Sequence, residues 1–243
     1  MADLRHFISQ HKPELSKNAW RLLAGLLVAD VWFIIMHILF SVAAFSDDLN
    51  FRLSQEGGYA EQFQYVKWFL STVFMLYLAG RYQVWLYLAW SVLFGYLFLD
   101  DMLAIHELVG EQIDGWFTFA TAFSLRPQDL GEIAVFAGSG MVLFALVGLF
   151  YRWSQDAPAR QASRFLVKAV LLLAFVGIFV DSMHSLIASQ STSRALNITV
   201  TIMEEGSEHV ILTVVVVYVF MLVETAFYRE RHVNDSAPAS VLR

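Results

Sequence analysis

One short stretch of the sequence joins ionisable side chains to a strongly apolar segment. Glu204, Glu205, Glu208 and His209 fall within six residues, and residues 210–220 then read VILTVVVVYVF. Carboxylates and an imidazole at the mouth of an apolar helix can bind a metal ion or transfer protons. We therefore take Glu205 and Glu208 as the candidate catalytic residues, each able to serve as a general base.

Two further segments place a histidine beside acids. His106 is followed by Glu107, and His184 follows Asp181 by three residues, so that the latter pair shares one helix face. Imidazole and carboxylate ligands without sulfur suit zinc, iron or manganese, and the chain has no cysteine. Three histidines with one open position would form a catalytic zinc site, whereas two histidines with four carboxylates would form a di-iron site.

The pattern predicts one or two divalent metal ions, zinc or iron, as the cofactor. Carboxylates that do not bind the metal would orient the imidazoles from a second layer. The predicted metal ligands are His106, His184, His209, Asp101, Glu107, Glu132, Asp181 and Glu205.

The composition indicates the solvent in which these residues work. Of the 243 residues, 58% are hydrophobic and 16% are charged, whereas a soluble domain has about 45–50% apolar and about 25% charged residues. The excess predicts an integral membrane protein. The net charge of −6 argues against a nucleic-acid partner, which requires a basic surface.

The apolar segments predict an all-α, polytopic membrane protein with about six transmembrane helices in a bundle, because a spanning helix needs about 20 apolar residues. In this interpretation residues 1–19 form a cytoplasmic N-terminal segment, residues 20–228 the transmembrane domain, and residues 229–243 a flexible cytoplasmic tail. The candidate spans cover residues 20–45, 65–80, 83–105, 131–151, 165–189 and 200–227.

The distribution of lysine and arginine predicts the orientation. Most of these residues lie in the N-terminal segment, the connections after the second and fourth spans, and the tail, whereas the opposite side has mainly Arg52, Arg126 and Arg194. Positive residues favour the cytoplasmic side, which places both termini in the cytoplasm. We expect a bacterial inner membrane, with the site toward the periplasmic face.

Alternating helix directions would bring the predicted ligands to one depth. Asp100 and Asp101 come about 26 Å along the third span, and Asp181 and His184 lie roughly 24–29 Å along the fifth. The sixth span descends from the same side and opens with its acids. Burying so many carboxylates costs on the order of 10 kcal/mol or more, which a bound cation would offset.

Four other residues have simpler predicted roles. His37 is expected to be packed and hydrogen-bonded, and Asp30, near the middle of the first span, to face another helix or a proton path. Lys67 is expected to extend to the membrane interface. Gly206, beside the acidic cluster, would allow a neighbouring helix to approach closely. His106 points away from Asp100 on a straight helix, so we expect the third helix to end or unwind near it.

The favoured function is a membrane metalloenzyme, either a zinc hydrolase or a di-iron oxidase, acting on a lipid-like substrate. The aromatic segment at residues 112–125 would serve as a lid or substrate guide. The alternative is a proton-coupled cation or metal transporter or channel that uses the same acids. A haem protein and a structural subunit are further hypotheses. The expected partners are membrane lipids and the hydrophobic substrate, and a homo-oligomer is compatible with the sequence.

Overall fold

A computed structural model describes residues 15–43, 45–116, 127–190 and 193–236, and it describes side chains for residues 15–43, 45–113, 130–177 and 193–228. In these parts of the chain all regular structure is helical, as predicted, and a 3-10 turn at Leu49–Phe51 accompanies the α-helices. The helices are α1 (Lys17–Ala43), α2 (Tyr59–Tyr82), α3 (Trp85–Leu103), α4 (Ile105–Trp116), α5 (Pro127–Trp153), α6 (Ala157–Gln190) and α7 (Arg194–Ser236).

Four helices in the described ranges are long and apolar enough to cross a membrane. They are α1, α3, the Leu130–Trp153 part of α5 and the Arg194–Tyr228 part of α7. This supports an integral membrane protein. The other two predicted spans correspond to α2 and α6, which have 24 and 34 residues but are interrupted by charged side chains such as Lys67 and Lys168. Six spans and the orientation of the termini therefore stay predictions.

The apolar core lies among α2, α3, α6 and α7. Its largest buried side chains include Met75, Trp90, Phe94 and Leu166. The indole Nε1–H of Trp90 donates a hydrogen bond of 2.9 Å to Ser163 Oγ, so that the polar edge of the ring is satisfied inside the core. Few residues of α1 and α5 are buried, as expected for surfaces that face lipid, although Val147 of α5 belongs to the core.

The helices α1 and α7 run antiparallel. At one end, the side chains of Ser16 and Asn18 donate hydrogen bonds to the carboxylate of Glu224, the second over 2.9 Å. Toward the other end, Gly206 lies against Ile34, and a Cβ built on this glycine would stand 3.3 Å from the Ile34 side chain. The expected close approach at Gly206 is therefore confirmed, and the first residues of α1 lie beside the second half of α7.

A break between α3 and α4 changes the course of the chain beside the acids. Ala104 has φ 48° and ψ 43°, a left-handed conformation that costs about 1–2 kcal/mol for a residue other than glycine. Its N–H still bonds to the carbonyl of Asp100, and α4 begins at the next residue. The third predicted helix thus ends at Leu103, as the position of His106 had suggested.

Candidate functional site

A cavity of about 800 Å³ lies among the helices α3, α5, α6 and α7, with contributions from α2, α4 and the loop before α2. This volume is within the range of small-molecule binding sites. One histidine, His106, lines the cavity together with seven carboxylates. These acids are Glu56, Asp101, Glu107, Glu132, Glu204, Glu205 and Glu208.

The cavity is acidic at one end and apolar at the other. On α5 the lining runs from Glu132 to Phe144, and on α7 it runs from Glu204 to Leu212, distances of about 18 Å and 12 Å along the helix axes. On α3 the polar residue comes last, since the lining ends at Asp101. Neighbouring helices of opposite direction therefore bring their acids to the same end.

A hydrogen bond to a buried acid orients the ring of His106. Its Nδ1 lies 3.2 Å from Oδ2 of Asp100, which is fully buried, and its Nε2 lies 3.7 Å from Oε1 of Glu107. An ionised carboxylate only accepts hydrogen bonds, so Nδ1–H donates to Asp100 and a neutral ring keeps its lone pair on Nε2. This arrangement, a carboxylate fixing one ring nitrogen while the other is free to bind, is typical of metal-ligating histidines.

The pKa values of two residues of α4 reflect the negative charge around them. Burial raises the pKa of Glu107, and the negative charges of Glu56, Glu132 and Glu61 raise it further. Burial alone would lower the pKa of His106, but the hydrogen bond to Asp100 and the surrounding negative charges outweigh it and leave the pKa raised. The surrounding negative charge thus raises both pKa values, and a bound cation would relieve it.

Asp101 is fixed from α2. The indole Nε1–H of Trp68 donates to Oδ2 of Asp101 over 2.8 Å, and the Tyr65 hydroxyl donates to the backbone carbonyl of the same residue over 3.2 Å. Because Trp68 is almost completely buried, it holds the carboxylate in one position. The ring of His106 is also supported, since it packs at 4.6 Å from the ring of Phe136.

Glycines allow two of the acids to reach the cavity wall. A Cβ on Gly131 would stand 2.4 Å from the carbonyl oxygen of Gly110, so α4 and α5 meet backbone to backbone directly beside Glu132. A Cβ on Gly177 would stand 2.9 Å from Oε1 of Glu208, so this carboxylate lies over the bare backbone of α6. Larger residues at these positions would displace the acids.

A second polar cluster is buried where α1, α2 and α7 meet. Lys67 Nζ lies 2.5 Å from Oδ1 of Asp30 and donates over 3.0 Å to the backbone carbonyl of His209. Thr213 Oγ1 donates to the other carboxylate oxygen of Asp30 over 2.6 Å. All four side chains are at most 1% exposed. A lysine at this depth requires such a counter-ion, because an unpaired buried charge is very costly.

His209 belongs to this cluster and does not line the acidic cavity. Its Nδ1 lies 3.3 Å from Asp30 Oδ1 and 3.4 Å from Lys67 Nζ, and its ring stacks on Phe33. Its Nε2 is buried and has no partner within the described ranges. The cluster lies directly behind the cavity wall, since Trp68 and Glu208, the chain neighbours of Lys67 and His209, line the cavity.

The predicted ligands are thus divided. Asp101, His106, Glu107, Glu132 and Glu205 line the cavity, as does the candidate base Glu208, whereas His209 lies outside it because its ring faces α1 and α2. The side chains of Asp181 and His184, and residues 117–125 of the predicted lid, lie outside the described part of the chain. Among the residues that are described, no three histidine or acidic side chains stand close enough to hold a metal ion as placed.

Two polar residues have roles that differ from the simplest expectation. Lys67 is completely buried and paired, so the prediction that it extends to the interface is wrong. Its partner Asp30 does face another helix, as expected. The pairing could have been suggested by charge alone, because an acid and a base in separate apolar helices stabilise each other in lipid. His37 is packed and hydrogen-bonded, as predicted, since it accepts a hydrogen bond from Leu53 N–H over 3.0 Å.

Comparison with known proteins gives a family without an assigned activity. Residues 58–223 match the family model described as "Domain of unknown function (DUF8692)". The chain belongs to this family. The match extends from the start of α2 to the second half of α7 and includes every residue that lines the acidic cavity except Glu56. No curated protein and no solved structure matches the chain.

Proposed function

We propose that this protein is a membrane metalloenzyme that binds a divalent metal ion, zinc or iron, at the acidic end of the cavity and acts on a lipid-like substrate. The observation that carries the proposal is the combination of seven carboxylates with a histidine that is oriented by buried Asp100. A cation is the simplest charge balance for such a cluster in an apolar protein. We include Asp181 and His184 of α6 in the proposed ligand set.

The shape of the cavity supports a lipid-like substrate. Its deep end is lined by apolar side chains such as Leu93, Phe144 and Leu173, and its other end by the acids. An acyl or isoprenoid chain fits the first region, and a polar group next to it would lie among the carboxylates. The metal would polarise an ester, amide or phosphoryl oxygen or lower the pKa of a water. Glu205 or Glu208 would accept the proton.

A turnover assay with defined lipids tests this proposal. The full chain is purified in detergent, loaded with zinc or with iron, and incubated with lipids that carry ester, amide or phosphodiester groups. We expect turnover with one metal only: hydrolysis with zinc, or oxidation of a lipid or quinone with two irons. Glu208→Gln should reduce turnover at least about a hundredfold, because general-base catalysis contributes about 10²–10⁴. If the metal content of this variant is unchanged, Glu208 acts as the base and is not a metal ligand.

The buried cluster of Asp30, Lys67 and His209 favours a second candidate, a proton-coupled cation transporter. Ionisable side chains within apolar helices are typical of proton relays, and this cluster lies immediately behind the acidic cavity. Beyond His209, however, α7 continues with buried Val215, Val216 and Val219, which offer no proton acceptor. Metal flux into liposomes that is lost in Asp30→Asn would favour the transporter, and flux equal to that of empty liposomes would favour the enzyme.

The proposed setting is the inner membrane of a bacterium. Both termini would be cytoplasmic and the acidic end of the cavity would open toward the periplasm. Two features support this arrangement: the asymmetry of lysine and arginine in the sequence, and the position of Ser16 beside Glu224, which places the start of α1 and the second half of α7 at one end of the bundle.

A further inference from the structure

A second pocket, of about 350 Å³, lies between the outer half of α1, the loop after it and the start of α7. Its polar lining includes His37, Arg52, Arg194, Asn197 and Thr201. In contrast to the acidic cavity, no carboxylate is among the residues that line it. Two arginines from separate elements therefore meet at one pocket in a chain whose net charge is −6.

His37 contributes a buried hydrogen-bond donor to this pocket. The ring is 4% exposed, and its Nδ1 accepts a hydrogen bond from Leu53 N–H over 3.0 Å. Since Nδ1 is an acceptor, the neutral ring carries its proton on Nε2. That nitrogen is buried and has no partner among the described residues. A buried N–H without an acceptor is unfavourable, so a ligand that supplied an acceptor here would be stabilised.

The loop that presents Arg52 is fixed by its own hydrogen bonds. Asp48 caps the 3-10 turn by accepting from Asn50 N–H over 3.0 Å, and its other oxygen accepts from the Tyr59 hydroxyl over 3.0 Å. The hydrogen bond from Leu53 to His37 joins this turn to α1. Arg52, adjacent to Leu53, is consequently held at the pocket, whereas an arginine on an unstructured loop would have to be ordered by its ligand.

We propose that this pocket binds a phosphate group. Arg52 and Arg194 would neutralise its charge, and Nε2–H of His37 would donate to one of its oxygens. The Oδ1 of Asn197, which is buried without a partner in the described structure, would accept a hydrogen bond from a hydroxyl group of the ligand. The phosphate belongs either to a lipid headgroup or to a soluble phosphate, and the proposal is independent of the metal in the acidic cavity.

Binding to the purified full chain in detergent tests the proposal with two probes. Inorganic phosphate is titrated by calorimetry, and phosphatidylglycerol is compared with phosphatidylcholine of the same acyl chains by native mass spectrometry. We expect the double variant Arg52→Gln/Arg194→Gln to weaken binding of the preferred probe by at least about tenfold, as the loss of charge-assisted hydrogen bonds implies. Arg52→Gln alone, at an exposed position, should give part of this effect.

Arg164→Gln is the matched control. This exposed arginine lies near the start of α6, and the adjacent Phe165 stacks on Tyr218 at 4.0 Å. Tyr218 is 24 residues, or about 36 Å, along α7 from Arg194, so Arg164 is at the other end of the bundle. His37→Asn retains an acceptor for Leu53 N–H but removes the donor at Nε2, and should weaken binding without loosening the loop.

The outcomes separate the two sources of phosphate. Selective, arginine-dependent binding of phosphatidylglycerol would identify a lipid headgroup, and arginine-dependent binding of inorganic phosphate would identify a soluble phosphate. Either result supports the pocket. Binding of both probes that is the same in the wild type, the double variant and Arg164→Gln would overturn it, as would the absence of binding of either probe by a wild-type protein shown to be folded by circular dichroism.

Discussion

Lys67 is completely buried, and its charge is balanced by the carboxylate of Asp30 and a backbone carbonyl of α7. Its ammonium nitrogen also lies over the ring of Phe63, 4.6 Å from the centroid. A buried pair of this kind contributes little net stability compared with apolar residues, but it is costly to break because one charge is then left alone. The pair therefore specifies how α1, α2 and α7 fit together.

Removal of one partner should be worse than removal of both. We expect Lys67→Met to lower the free energy of unfolding by about 3–5 kcal/mol, because the carboxylate of Asp30 would be left buried without its counter-ion. The double variant Asp30→Asn/Lys67→Met should regain most of this loss. Thermal unfolding in detergent, followed by tryptophan fluorescence, measures both values. Lys168→Met, at an exposed position on α6, is the control, and an equal loss in the single and double variants would contradict the coupling.

His106 and His209 show what sequence spacing can and cannot predict about single residues. Both were expected to bind the same metal, and both have an acid close by in sequence. Glu205 and His209, four residues apart, could share a face of α7, but the lysine and aspartate on neighbouring helices draw His209 to their own side. The position of a residue along its helix could be estimated from the sequence, whereas the direction of its side chain depends on partners in other helices.

The turn at Ala104 determines which residues α3 and α4 can bring together. Asp100 and His106 are six residues apart, and on a continuous helix their side chains would point about 120° apart, on different faces. The left-handed residue ends α3 and redirects the chain, so that the imidazole of His106 reaches back to Asp100 at 3.2 Å. The sequence suggested a helix end here, but the Asp100–His106 pair itself required the geometry of the turn.

The contact between α4 and α5 can be tested at one glycine. Gly131→Ala should force the two backbones apart, because the new Cβ would stand 2.4 Å from the carbonyl oxygen of Gly110. We expect a loss of about 1–3 kcal/mol of unfolding free energy, the usual cost of overpacking, together with a displaced Glu132 and weaker metal binding.

Gly138→Ala is the matched control for this variant. It lies two turns along the same helix, and its Cβ would have nothing within 4 Å. Alanine there should raise stability by about 0.5–1 kcal/mol, because glycine is the poorer helix former. Chemical denaturation of both variants in the same detergent gives the comparison. Similar stabilities for Gly131→Ala and Gly138→Ala would mean that the backbones of α4 and α5 do not meet as described.

For the molecule as a whole, the alternating direction of the helices is what concentrates charge at one end. This arrangement could be predicted because hydropathy indicates where the apolar helices lie and consecutive spans alternate in direction. The packing partners of each helix could not be predicted. Nothing in the sequence indicates that α1 packs mainly on α7, or that its buried residues are Ala19, Asp30 and His37. Such contacts depend on shape and on isolated polar pairs.

The predicted topology can be checked by labelling, because the chain has no cysteine to interfere. Single cysteines are introduced at Asp47, in the loop after α1, and at Gln155, in the turn between α5 and α6, both exposed positions. A maleimide that does not cross membranes should label Asp47→Cys in intact cells and Gln155→Cys only after permeabilisation. The opposite pattern would place the termini outside the cytoplasm. Labelling of both positions in intact cells would contradict six spans, because α3 and α5 alone between them would leave both positions on one side.

The most direct test of the proposed metal centre is the metal content of the purified full chain. It is measured by elemental mass spectrometry after the protein is loaded with zinc or iron and excess ions are removed. We predict one zinc or two irons per chain in the wild type. His106→Ala and Glu107→Gln should each retain less than about a tenth of this metal, since loss of a ligand typically weakens affinity by a factor of ten or more. Glu111→Gln, an exposed residue of α4 outside the cavity lining, should retain all of it. Equal metal content in these four proteins, or none in any of them, would contradict the account.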